Sequence, residues 1–280
     1  MLTNDPDHGL YSDYLKILMK LSKAEIFINT AVFCRIEQSD CWLGRHCNTL
    51  DTHALDNEEY RNLMLRAKDL GHEISFHGYS QVSNTRDEFS RGLDCFKNVF
   101  GDYPKVYVEH CGSVKKHRKE MCKLETLNYC GQIPDSEHYV KDIVKQVFDL
   151  VWTHDYLIDD PQSPMPGHEV FEVVDDVTYF KRSRMRDMAS LDQKFKSDNS
   201  VYVGYTHFGY RGYERNFKGL IYHLLNLNFD QGWKNECWLG DNLDRNIFLI
   251  KRFLEKNSLK IDTIHNFFKN SKVVSKCQHQ

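Results

Sequence analysis

The sequence predicts a single α/β domain built as a barrel of strand–helix units, and three observations carry that expectation. A chain of 280 residues with 41% apolar composition is long enough for one sizeable core. The first hundred residues alternate strand-like and helix-like segments, the pattern of βαβ units on a parallel sheet. Asp5, Asp7, His77, His110 and His207 all fall at the ends of strand segments, the rim where barrel enzymes carry their reacting groups.

After the opening run LTNDPDHG, the segment LYSDYLKILMKLSK places apolar residues at helical spacing, and AEIFINTAVF reads as a buried strand. A polar, cysteine-containing loop follows from about Arg35 to Leu55. DNEEYRNLMLRAKDLG opens on acidic residues and ends at Gly71, which punctuates a helix, and HEISFH is the next strand. TRDEFSRGLDCFKNVFG and YPKVYVEHCG repeat the cycle with another Gly-terminated helix and another strand. Between about residues 113 and 200 the pattern weakens: KDIVKQVFDLVWTHDY suggests a helix and then a strand, and VFEVVDDVTYFKRSR one or two strands. SVYVGYTHFGY is a strand ending near His207, YERNFKGLIYHLLNLN is helical, and NLDRNIFLIKRFLEKNS is an amphipathic helix. No internal repeat or linker divides the chain, so the expectation is one domain over residues 1–270 and a frayed tail over 271–280.

Charge and cysteine usage narrow the function classes. With 37 basic against 40 acidic residues the net charge is −3, which gives no electrostatic footprint for nucleic acid or an anionic membrane. No run approaches the roughly 20 apolar residues of a membrane helix. No signal peptide is visible, so a cytoplasmic location is expected; the opening motif lies so close to Met1 that an upstream extension remains open. The nine cysteines are odd in number and contain no CxxC pair, which favours reduced thiols over a disulfide framework. Cys34, Cys41 and Cys47 with His46 match no closed structural zinc pattern.

The strand ends carry Asp-x-Asp, His, Glu-His and His. Carboxylate plus imidazole is the donor set of a catalytic divalent ion, whose bound water is a nucleophile near neutral pH. Hydrolysis also needs a base for the water proton and an acid for the leaving group. Taken singly, a histidine at a strand end is more often solvated than ligating, and Asp-Pro-Asp is a turn sequence in its own right. Convergence of five such groups on one rim is what favours a site.

These segments resemble those of the polysaccharide deacetylase superfamily, the NodB-homology, family-four carbohydrate esterases. LTNDPDHG resembles their first motif, in the variant with one residue between the two acids. AEIFIN resembles their second-strand segment, and LGHEISFHGYSQ the Gly-His-Glu-Ile segment leading to a His-x-x-x-His metal motif. YPKVYVEHCG occupies the place of the third motif and VYVGYTHFG that of the last. The order holds along essentially the whole chain, and the Gly-His-Glu-Ile segment is the most specific match.

The resemblance implies a distorted (β/α)7-8 TIM-like barrel and metal-dependent removal of acetyl, or a similar acyl group, from an amino sugar or glycan. It implies Asp5 as general base, Asp7 and His77 as metal ligands, His207 as the acid that assists the leaving group, and a divalent ion, zinc first, with cobalt or nickel as alternatives. Two positions depart from the family pattern. Gln81 stands where the second histidine ligand belongs, and VEHCG lacks the arginine that orients the base. His110, or else Glu109, would complete the ligand set, and Arg182 or Arg184 in YFKRSR would replace the arginine or bind an anionic substrate group. His8, Tyr79, Glu109, Arg184 and Tyr210 are the candidates for substrate contact, with Tyr205 and Phe208 as further stacking candidates. His154 and Asp155 are secondary candidates, and His72 is expected to pack at a strand entry. The alternatives are a catalytically degenerate glycan- or partner-binding member of the same fold, and an amidohydrolase acting on a non-sugar carbon–nitrogen bond.

Overall fold

The computed structural model describes residues 1–5, 11–35, 54–80, 84–110, 130–153, 170–184, 201–206, 208 and 241–271. Its strands are β1 (Leu2–Asn4), β2 (Asn29–Phe33), β3 (Glu73–Gly78), β4 (Val106–Val108), β5 (Leu150–Trp152), β6 (Phe171–Val174), β7 (Val177–Phe180), β8 (Ser183–Arg184) and β9 (Gly204–Thr206). The helices are α1 (Tyr11–Lys23), α2 (Glu58–Asp69), α3 (Arg86–Phe100), α4 (Lys141–Val147), α5 (Asp241–Lys256) and α6 (Ile264–Asn270).

The strands form one sheet in the order β6-β7-β5-β4-β3-β2-β1-β9-β8. Every pairing is parallel except the β6–β7 hairpin, which turns at Asp175 and Asp176. Both turn residues have positive φ, 49° and 63°, the backbone a tight hairpin of matching twist requires.

The barrel is visible in one detail of this order. β7 and β8 lie towards opposite ends of the sheet yet follow each other in the chain with only Lys181 and Arg182 between them. Three peptide units span at most about 11 Å, so the sheet must curl until its two ends nearly meet. Residues 177–184 therefore act as one staggered strand, pairing first with β5 and then with β9. Counted that way, seven parallel positions close a distorted barrel in a single α/β domain.

Local chemistry explains the surrounding helices. In α1, Tyr14, Ile17, Leu18 and Leu21 are buried at helical spacing; in α2, Tyr60, Leu63, Met64 and Ala67 repeat the stripe. The Asn57 side chain caps α2 by accepting from the Tyr60 amide, and Thr85 with Glu88 forms a capping box on α3. α3 packs closely on β3 because Gly92 has no side chain: a Cβ there would lie 2.9 Å from the Phe76 ring. That ring is a hub, with Phe89, Phe148 and Tyr107 centroids within 5.3–6.0 Å.

Three expectations change. AEIFIN is not strand throughout: α1 ends with Glu25 at φ 58°, the Ile26 amide donates back to Leu21, and β2 begins only at Asn29. The VFEVVDDVTYFKRSR segment supplies three strands rather than one or two. Helix α6 was missed altogether, because seven residues give little periodic signal; its start is held by the Glu73 carboxylate accepting from the His265 amide. The expected helix YERNFKGLIYHLLNLN lies outside the described residues. Among those described, no helix is long and apolar enough to cross a membrane.

His72 does pack at the strand entry. It is 3% exposed, its Nδ1 accepts from the Ile28 amide at 3.2 Å, and its Nε2–H donates to the Leu18 carbonyl at 3.1 Å. Both bonds need the neutral ring, and burial pushes its pKa below the ordinary value, the Leu18 carbonyl pulling weakly the other way. With a depressed folded pKa, the unfolded chain binds the extra proton first as pH falls. His72 therefore contributes stability above about pH 6.5 that is lost as pH drops below it. Gln can donate and accept at the same two places without titrating, so His72→Gln should flatten the fall in melting temperature between pH 7.5 and 5.5. An unchanged slope would remove His72 as its source.

Candidate functional site

The parallel register puts the C-terminal ends of β1, β3, β4 and β9 on one rim. Asp5 follows β1 there, and its amide donates to the Thr206 carbonyl of β9 at 3.3 Å, so its backbone is held by the sheet itself. Asp5 is 5% exposed, and its carboxylate is gripped by Arg182: Nη1 donates to Oδ1 at 2.8 Å and Nη2 to Oδ2 at 2.6 Å. Nη1 also donates to Thr3 Oγ1 at 3.3 Å.

Arg182 is 1% exposed, and its charge is held between two aromatic faces. Its guanidinium carbon lies 3.4 Å from the Trp152 centroid and 4.2 Å from that of Tyr205. The barrel seam makes this possible, because Arg182 sits between β7 and β8 and is delivered to β1 by the closure of the sheet. Of the two arginines named for this place, Arg182 reaches Asp5; of Arg184 only the backbone is described. Tyr205, expected to stack on sugar, instead flanks the guanidinium together with Trp152 of the buried core, and no local signal links residues from three separate strands.

His77, near the end of β3, is 2% exposed. Its Nδ1–H donates to the Val108 carbonyl, which leaves the lone pair of the neutral ring on Nε2. A backbone carbonyl fixing the tautomer in this way is the usual support of a metal-binding imidazole. Gly78 directly follows at φ +125°, a conformation that L side chains rarely adopt, and turns the chain off the strand. His110 lies two residues past β4, its ring centroid 5.3 Å from that of His77 with the planes 86° apart. The Phe33 ring packs on both, at 4.5 Å and 5.2 Å.

Two imidazoles binding one tetrahedral ion through nitrogens about 2 Å from it have ring centroids roughly 5 Å apart, a separation this pair shares with a direct edge-to-face contact. Among the described residues no group of three His, Cys, Asp or Glu side chains completes such a site. The expected third ligand, Asp7, lies outside those residues, as do Gln81, His8, His207, Tyr210, His154 and Asp155. Glu109 is 1% exposed, its Oε1 accepting from the Tyr107 hydroxyl at 3.5 Å. Tyr79 is 8% exposed with Arg91 over its ring, and Phe208 is fully buried, its amide donating to Asn4 Oδ1 at 2.9 Å. Asn4, which sequence reasoning passed over, thus fixes the backbone next to His207.

No family model and no curated protein matches the chain. Among solved structures it is similar to the Bc1960 peptidoglycan N-acetylglucosamine deacetylase, with 15% identity, 97% of this chain and 88% of that one covered, and a TM-score of 0.44. It is similar to a family 4 acetyl xylan esterase from Clostridium thermocellum, in complex with a cobalt ion, at 12% identity, 96% and 89% coverage and a TM-score of 0.44. A third likeness is to the catalytic domain of a peptidoglycan N-acetylglucosamine deacetylase from Eubacterium rectale, at 17% identity, 81% and 84% coverage and a TM-score of 0.41.

Proposed function

We propose that the chain is a divergent polysaccharide deacetylase, a metal-dependent hydrolase that removes acetyl or a similar acyl group from an amino sugar or glycan. The observation that carries this reading is the His77–His110 imidazole pair, 5.3 Å apart on the rim where Asp5 also sits. Asp7, His77 and His110 would hold a divalent cation, zinc first. Such an ion supplies a polarised acyl carbonyl and an activated water.

The remaining work falls to the chain's own groups. Asp5 takes the proton of the attacking water; each of its oxygens keeps a second lone pair while the Arg182 fork occupies the first. Arg182 aims that carboxylate and acts only through it. His207 gives a proton to the leaving amine or hydroxyl. His8 and Tyr210 are the candidates for contact with the sugar, and Arg184 for an anionic group on it.

The competing reading, a glycan- or partner-binding member without turnover, rests on Gln81 and the absent third-motif arginine. Arg182 on Asp5 weakens the second of these motives. The purified chain should carry about one divalent ion and release acetate from acetylated amino sugars with added zinc, cobalt or nickel. A folded sample with neither bound ion nor acetate release would favour the binding reading. Ion-dependent turnover confined to cyclic amides would establish the non-sugar amidohydrolase.

A further inference from the structure

Beside the candidate site, between the C-terminal end of β2 and helix α3, two thiols stand together with nothing yet to explain them. Cys34 directly follows β2, is 2% exposed, and its thiol donates to the Gly92 carbonyl of α3 at 3.1 Å. Cys95 lies three residues further along the same helix, on the same face, and is only partly buried. Because Cys34 sits on the Gly92 carbonyl and Cys95 is one turn further along that face, the helix brings the two side chains together.

We propose that Cys95 is a peroxide-reactive thiol and that Cys34 resolves its oxidised form to an intramolecular disulfide. The arrangement divides the roles. Cys95 is the accessible member, and the neighbouring Cys34 thiol lowers its pKa to about 7, against burial and the Asp56 charge and with help from Arg61. The same contact, and then burial, push the Cys34 thiol upward, so it waits as the protonated partner.

In the first step the Cys95 thiolate attacks one oxygen of a hydroperoxide. The O–O bond breaks, an S–O bond forms, sulfur loses two electrons to the peroxide, and water or an alcohol leaves once protonated. Cys34 then attacks the Cys95 sulfenic sulfur. The S–O bond breaks, the disulfide forms, and the hydroxyl leaves as water with the Cys34 proton. The crosslink ties α3 to the end of β2, one residue from the Phe33 ring that packs on His77 and His110.

The test needs no enzymatic assay and so stands apart from the proposed hydrolase activity. The full chain, folded and reduced, is titrated with hydrogen peroxide at pH 7, blocked, and mapped by mass spectrometry without reduction. The expected product is a Cys34–Cys95 linked peptide, lighter by two hydrogens and restored by dithiothreitol. It should form about tenfold faster than oxidation of the other cysteines, since an accessible thiol of lowered pKa reacts faster than an ordinary one. In Cys34→Ser, Cys95 should stop as a sulfenic acid captured by dimedone. If both thiols survive while other cysteines oxidise, or if Cys95 passes to sulfinic acid in the wild type without a linked peptide, the proposal is overturned. The wild-type map decides even if the variant fails to fold.

Discussion

Arg182→Ala will destabilise the fold by about 3–5 kcal/mol, a fall of roughly 10 °C in melting temperature, although the residue belongs to neither a helix nor a large apolar cluster. The cost does not come from losing an attraction in water. It comes from leaving the carboxylate of Asp5, a residue 5% exposed, without the fork that satisfies both its oxygens. Trp152 and Tyr205 would at the same time lose the flat cation packed between them. Lys keeps the charge but not the two parallel donors or the stacking plane, so Arg182→Lys should recover only part of the loss. Removing both charges with Arg182→Met and Asp5→Leu should cost less than Arg182→Ala alone, because no buried charge is then stranded. Denaturant titration of the four proteins measures this. An alanine variant within about 0.5 kcal/mol of wild type would mean that the buried pair contributes nothing.

The same pair marks where the sequence stopped being legible. Helices α1 to α3 could be read because their apolar stripes, and in α2 and α3 also caps and terminal glycines, are local signals, all within one or two turns. The barrel seam could not. Its strands are two to four residues long, and their pairing with β5 and β9 is decided by closure of the whole sheet. Arg182 could be named as one of two stand-ins for a missing arginine, but Asp5 is 177 residues away and no periodicity spans that distance. Gln81 shows the opposite limit. The sequence says plainly which side chain replaces the expected ligand, while what takes its place depends on a neighbouring strand. His110 comes within ring contact of His77 because β4 pairs beside β3, a relation the spacing of VEHCG alone does not contain.

That neighbour relation supports the second large effect. On the proposed function, His77→Ala is expected to abolish binding of a divalent ion and to lower acetate release at least a hundredfold, since loss of even an outer-shell partner of a metal ligand costs ten- to a hundredfold. The substitution also deletes the bond to the Val108 carbonyl and the packing on Phe33, so melting temperature must be followed in parallel. His110→Ala is the milder test of packing, because the residue is less buried than His77, although its ring also packs on Phe33. If both histidines hold the ion, elemental analysis will show each variant depleted while His110→Ala keeps a melting temperature near wild type. If His110→Ala holds the ion as tightly as wild type does, the ligand set must draw its other members from outside this pair, and Gln81 returns as a donor. Adding zinc back to His77→Ala at millimolar concentration then distinguishes weakened binding, which recovers turnover, from a collapsed rim, which does not.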